Sequence, residues 1–138
     1  MTIAARAAKV GVMMILILVG GGSAIAKQIV DSQVKIGPKP NYPMIATWLG
    51  LEGYCEVRLT VDENRLPFAI TPSCTRPIFC FEAKRAVSAT LFEPKTIDGV
   101  PTVRPNVVFP LEFFFPGSGY HNEEDPRPLE LCEQKPVA

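Results

Sequence analysis

Histidine is nearly absent from this 138-residue sequence, with His121 the only one. Imidazole-based catalysis or zinc binding has almost nothing to draw on. Net charge is absent too: 14 Lys+Arg stand against 14 Asp+Glu. A nucleic-acid binder shows a basic excess or stripe, and none is visible. The chain has no G-x-S-x-G turn, no H-E-x-x-H, no phosphate loop and no dinucleotide fingerprint. Cys55, Cys74, Cys80 and Cys132 contain no C-x-x-C spacing, which disfavours zinc, and a lone tail histidine disfavours a thiol protease. These absences leave no catalytic residue, no metal and no cofactor to expect, and they point away from an enzyme.

Acidic residues are missing from the start of the chain, where Arg6 and Lys9 precede the apolar run VGVMMILILV. GGGSAIAKQ follows, and Ala24-Ile25-Ala26 is an A-x-A cleavage signal. That is the layout of a secretory signal peptide over residues 1–26. The alternative is a short uncleaved membrane anchor. Residues 10–26 only just reach the spanning minimum of about 17 residues, and they include three consecutive glycines. Cleavage would leave 12 Lys+Arg against 14 Asp+Glu. Export also places the four cysteines where disulfides persist.

The length of 138 residues suits one domain, and the 14 prolines and 10 glycines of the whole chain imply short elements joined by many turns. Residues 27–37 form a short lead without clear period. In PNYPMIATWLGLEG, Pro43 fits a first helical turn, Asn41 a cap, and Gly50 a left-handed end. Met44, Ile45, Trp48 and Leu49 make a helical stripe, with Trp48 expected in the core. Residues 52–62 alternate, with Cys55, Val57, Leu59 and Val61 on one face. Residues 67–74 form a second strand, and Pro67 and Pro72 mark it as an edge. A tight loop at Asn64-Arg65 sets Val61 opposite Phe68, Leu59 opposite Ile70 and Cys55 opposite Cys74. Residues 79–92 read as the main helix, IDGVP as a turn, and 106–115 as a third strand with Val107, Phe109, Leu111, Phe113 and Phe115 on one face. Residues 117–138 read as a polar flexible tail.

The expected fold is α+β in two layers: a three-stranded antiparallel sheet with two helices on one face, in the order α-β-β-α-β. The register favours a Cys55–Cys74 disulfide over a local Cys74–Cys80 loop. Cys80 and Cys132 are then free, or tie the tail to the main helix.

The ordered string PNYP, Ala46, GLEGYCEVRLTVDEN, FEAKRAV, LFEPK, DGVP and VVFPLEF resembles the C-terminal domain of TonB-type energy transducers over about residues 38–115, within a domain expected at 38–116. The resemblance makes Tyr42, Pro43, Gly50, Glu52 and Gly53 family-motif positions. It implies a periplasmic domain that grips an outer-membrane receptor or similar envelope protein by strand addition. The partner would pair with the last strand, at Val107, Val108, Phe109, Leu111, Glu112 and Phe113. Pro110 in that strand marks an edge, and either leaves a gap in docking or guards against pairing. The transducers carry a long proline-rich spacer and a histidine in an uncleaved anchor. Here about a dozen residues, at most about 40 Å when extended, separate Ala26 from Pro38, and residues 10–26 hold no histidine or charge. The resemblance therefore implies partner binding without energy transduction. The competing reading is a structural module that homodimerises through the same edge.

Overall fold

The computed structural model describes residues 25–132. The leader expected at residues 1–26 falls almost wholly outside the described residues. Among the described residues, no helix is long and apolar enough to cross a membrane. The chain begins with β1 (Ile29–Val30), β2 (Gln33–Ile36) and α1 (Met44–Leu49). Then come β3 (Gly53–Val61), β4 (Pro67–Cys74), a 3-10 turn at Pro77–Phe79, and α2 (Cys80–Ser88). Short strands β5 (Leu91–Glu93), β6 (Lys95–Ile97) and β7 (Val100–Thr102) lead to β8 (Arg104–Phe113) and, after a 3-10 turn, β9 (Glu130–Leu131).

The three-stranded expectation needs correction. The main sheet has four antiparallel strands in the order β8-β3-β4-β9. The fourth strand comes from the segment expected to be tail. Cys132 is bonded to Cys80 of α2, and that bridge holds β9 against β4. The lead is structured as well: β1 joins β6 and β7, and β2 pairs with β5. Its strands are exposed on both sides, so no hydrophobic period announced them.

One main helix covers the sheet, not two. Phe79, Ala83 and Val87 are buried against Cys55, Val57, Leu59, Val61, Leu111 and Phe113, and Ala86 is buried as well. The helix stops at Ser88, earlier than expected. The Ser88 and Thr90 hydroxyls donate to the carbonyls of Lys84 and Ala86, competing with the helical amides of the last turn. Leu91 and Phe92 belong to β5 instead, with Phe92 buried. The short helix α1 buries only Ala46. Trp48 is 77% exposed, so the core place expected for it is wrong. Nor does Asn41 cap α1: its N–H donates to the Glu82 carboxylate at 3.0 Å.

The hairpin register holds at one end and slips at the other. Cys55 faces Cys74 and Arg58 faces Thr71. Beyond them Ala69 and Ile70 both oppose Leu59, so Phe68 meets Thr60 rather than Val61 and stays half-exposed. Ala69 carries φ 50, the left-handed backbone of a bulge. A matching bulge on β8 has Asn106 at φ 56. In the loop, the Asp62 carboxylate accepts the N–H groups of Asn64 and Leu66, both at 2.8 Å. The positive φ falls on Arg65, at 72°, not on Asn64. Arg65→Gly is therefore expected to stabilise the fold by up to about 1 kcal/mol, since relief of left-handed strain outweighs glycine's extra unfolded freedom. The exposed Arg65–Glu93 pair at 3.8 Å adds little. Urea midpoints of the two proteins check this, and a lower midpoint for the glycine variant contradicts it.

Candidate functional site

Among the described residues, β8 has a neighbour on one side only. One hydrogen bond and the strand register tell which of its amides are free. Thr75 N–H donates to the Tyr54 carbonyl at 2.8 Å, so even-numbered residues of β3 face β4. Amides alternate sides along a strand, so the odd-numbered residues face β8. Cys55 lies opposite Leu111 and Val57 opposite Phe109, so β3 uses the amides of Val107, Phe109, Leu111 and Phe113. The amides of Val108 and Glu112, and the carbonyls of Val108, Pro110 and Glu112, point away from the sheet.

Pro110 sits opposite Glu56, at a pair that exchanges no hydrogen bonds. Its missing N–H leaves the β3–β8 ladder intact and puts one gap in the open edge. Pro72 has the equivalent position on β4, opposite Val57, and its carbonyl accepts the Cys132 N–H at 2.9 Å. Both prolines mark edges of the β8-β3-β4 core, but β9 covers the second one.

The six residues expected at the partner edge all lie on β8, yet they differ in access. Val108 and Glu112 are exposed and outward. Val107 and Phe109 are half-buried, while Leu111 and Phe113 are only 6% and 2% exposed. The last two therefore offer a partner no side-chain surface.

The motif residues gather at the end of the sheet where β8 finishes. The Tyr42 ring stacks on Phe115 at 4.7 Å and meets Phe79 and Phe113 edge-on. Its hydroxyl donates to the Leu51 carbonyl at 2.5 Å. Burial raises its pKa, and the Glu52 charge adds to the shift. Pro43 starts α1, and Gly50 ends it at φ 61, donating to the carbonyls of Ala46 and Thr47. Glu52, a family-motif position, acts as a clasp. Its carboxylate accepts the Phe115 N–H at 2.7 Å. Hydrogen bonds from the Ser118 hydroxyl and from Phe115 hold the acid below its usual range. Its carbonyl accepts Arg76 Nε at 3.1 Å and Arg127 Nη2 at 3.3 Å. The clasp turns the chain out of β8 and back toward β4.

The returning segment is organised by Asp125. Burial alone would raise this acid, but bonds from Arg127 and then Tyr120 outweigh it and hold the acid at about 2. Burial, followed by the bond to Asp125, pushes Tyr120 up to about 12. Two disulfides complete this end of the molecule. Cys55–Cys74 joins directly opposed residues with Cα atoms 4.0 Å apart, and Cys80–Cys132 spans 5.8 Å. They lie side by side, with the sulfurs of Cys74, Cys80 and Cys132 within 4.8 Å of one another. No cysteine is free, so no thiolate remains to hold a metal.

The sequence pattern of the family described as Gram-negative bacterial TonB protein C-terminal matches residues 38–113, more than half of the chain. The chain belongs to this family. No curated protein matches it. TonB C-terminal domains are non-enzymatic, periplasmic protein-interaction modules that bind outer-membrane proteins. The match runs from just before α1 to the end of β8. It leaves out β1, β2 and the returning segment with β9, the parts that the sequence pattern did not reveal. Two signals for the latter were present: a fourth cysteine needing a partner, and Tyr120, Asp125 and Arg127 in an otherwise polar stretch.

Proposed function

We propose that this TonB C-terminal domain captures an extended segment of an envelope protein by adding it as a strand beside β8, without transducing energy itself. One observation carries the reading: among the described residues, β8 is the edge of the main sheet left uncovered, while β9 closes the other. Main-chain bonds at Val108 and Glu112 would supply affinity, with a gap at Pro110. The exposed Val108 and Glu112 side chains would read the partner's sequence. Work in the periplasm follows export and cleavage after Ala26, so the intact mass of the secreted protein should begin at Lys27. Full-length protein held in the inner membrane would overturn that step.

Val108→Pro is the direct test. It removes an outward N–H that β3 does not use, so the melting temperature should change little. Capture of an extended receptor segment should weaken at least tenfold, roughly the 1.4 kcal/mol of a good backbone bond. Binding is followed by amide shifts, which should appear along residues 107–113. Shifts confined to α1 and α2, with β8 silent, would rule the docking model out. Homodimerisation through the same edge predicts instead a stable dimer by light scattering that ignores extended peptides.

A further inference from the structure

A cleft of about 370 Å³ opens where the end of β4 meets the returning segment, on the far side of the sheet from β8. Leu51, Ile78 and Pro128 give it apolar walls, and Arg76 and Arg127 supply its cations. The two guanidiniums are drawn together by one acceptor, the Glu52 carbonyl, at 3.1 and 3.3 Å. Asp125 is the one carboxylate within ion-pair distance of either among the described residues, and it serves Arg127 alone. Arg76 spends only its Nε, leaving both terminal nitrogens without a protein partner among the described residues. Arg127 Nε is buried and likewise unpartnered there. Glu130 also lines the cleft but lies beyond ion-pair distance of both arginines.

A buried guanidinium N–H without a protein acceptor, beside a second arginine that pairs with no carboxylate, is a place where one anionic group could satisfy donors of both. Guanidinium forks match a carboxylate in two-point geometry, and desolvated donors make such bonds strong. The volume is at the lower end for ligand pockets, enough for a carboxylate and one or two apolar side chains. We infer that this cleft is a binding site for a peptide carboxylate flanked by apolar residues, the C-terminal end of a protein chain being its best fit. The site does not depend on strand addition at β8, because that edge lies across the sheet.

The test uses the oxidised protein purified from its exporting host and three probes, with amide and arginine Nε–H resonances as the readout. Acetyl-Gly-Leu-Leu with a free carboxylate should shift Arg76, Arg127, Leu51 and Ile78 and leave β8 unmoved. The same peptide as its amide should bind at least tenfold more weakly. A doubly capped peptide with an internal aspartate separates the two sources of the group. If it matches the free acid, an acidic side chain is the ligand; if it fails, a chain terminus is. Arg76→Gln should abolish the difference between acid and amide, and Arg76→Lys should restore part of it. Equal binding of acid and amide, shifts confined to β8, or no shift by any probe would each overturn the inference.

Discussion

Gly53→Ala is expected to cost about 3 kcal/mol, at the upper end for overpacking a core, and to lower the melting temperature by roughly 15 °C. A Cβ at this position would meet Phe79 Cε2 at 2.6 Å and Cδ2 at 2.9 Å, and Thr75 Oγ1 at 2.9 Å. Neither neighbour can step aside. Phe79 is fully buried and stacked on Phe113 at 4.4 Å, with Tyr42 against its edge. Thr75 Oγ1 accepts the Tyr54 N–H at 3.0 Å. Gly50 is the internal control. Nothing lies within 4 Å of a Cβ there, but its φ of 61° disfavours an L side chain. Gly50→Ala should cost only about 1 kcal/mol. Thermal melts under oxidising conditions compare them. Equal small losses would mean that the Phe79 contact does not decide the first position. The two glycines of the G-x-E-G piece thus answer to different demands: one ends a helix, and the other lets a ring lie flat on the sheet.

Why some of the fold was legible in the sequence and some was not follows from what each residue must announce. Cys55, Val57, Leu59 and Val61 alternate because one face of β3 is buried and the other wet, and that period survives in any register. Pro72 and Pro110 could be read as edge residues because neither can donate to a ladder, and they oppose neighbouring residues of β3, Val57 and Glu56. The bulges left no mark, since an alanine and an asparagine carry the left-handed backbone where glycine would have signalled it. The stripe on α1 was a true periodicity, but period fixes which residues share a face and not whether anything covers it. Met44, Ile45, Trp48 and Leu49 do share a face, and that face is exposed. At the site, the open edge was readable from Pro110. The Glu52 clasp was not, because its partner Phe115 N–H is 63 residues away and becomes adjacent only when the sheet forms.

Loss of the Cys80–Cys132 bridge is expected to have the other large effect, and its consequences should reach beyond stability. Its sequence separation is 52 residues against 19 for Cys55–Cys74. Loop entropy in the unfolded chain then assigns it about 4 kcal/mol, against about 3 for the shorter loop. The shorter bridge joins residues that the β3–β4 ladder already aligns. The longer one is different in kind, because β9 meets β4 through only Ser73–Leu131 and Cys74–Glu130, plus the Cys132 N–H on the Pro72 carbonyl. Both β9 residues are exposed, so little burial would retain them once the bond is gone. A Cys80→Ser, Cys132→Ser variant should therefore melt earlier and exchange the Cys74 amide faster. It should also self-associate with rising concentration, since an uncovered strand edge recruits another. Light scattering with and without Val108→Pro identifies which edge is responsible. Association that survives the proline comes from the uncovered β4, as a β9 acting as an edge cover requires. Association that the proline abolishes comes from β8, and would mean that β9 never shielded the sheet at all.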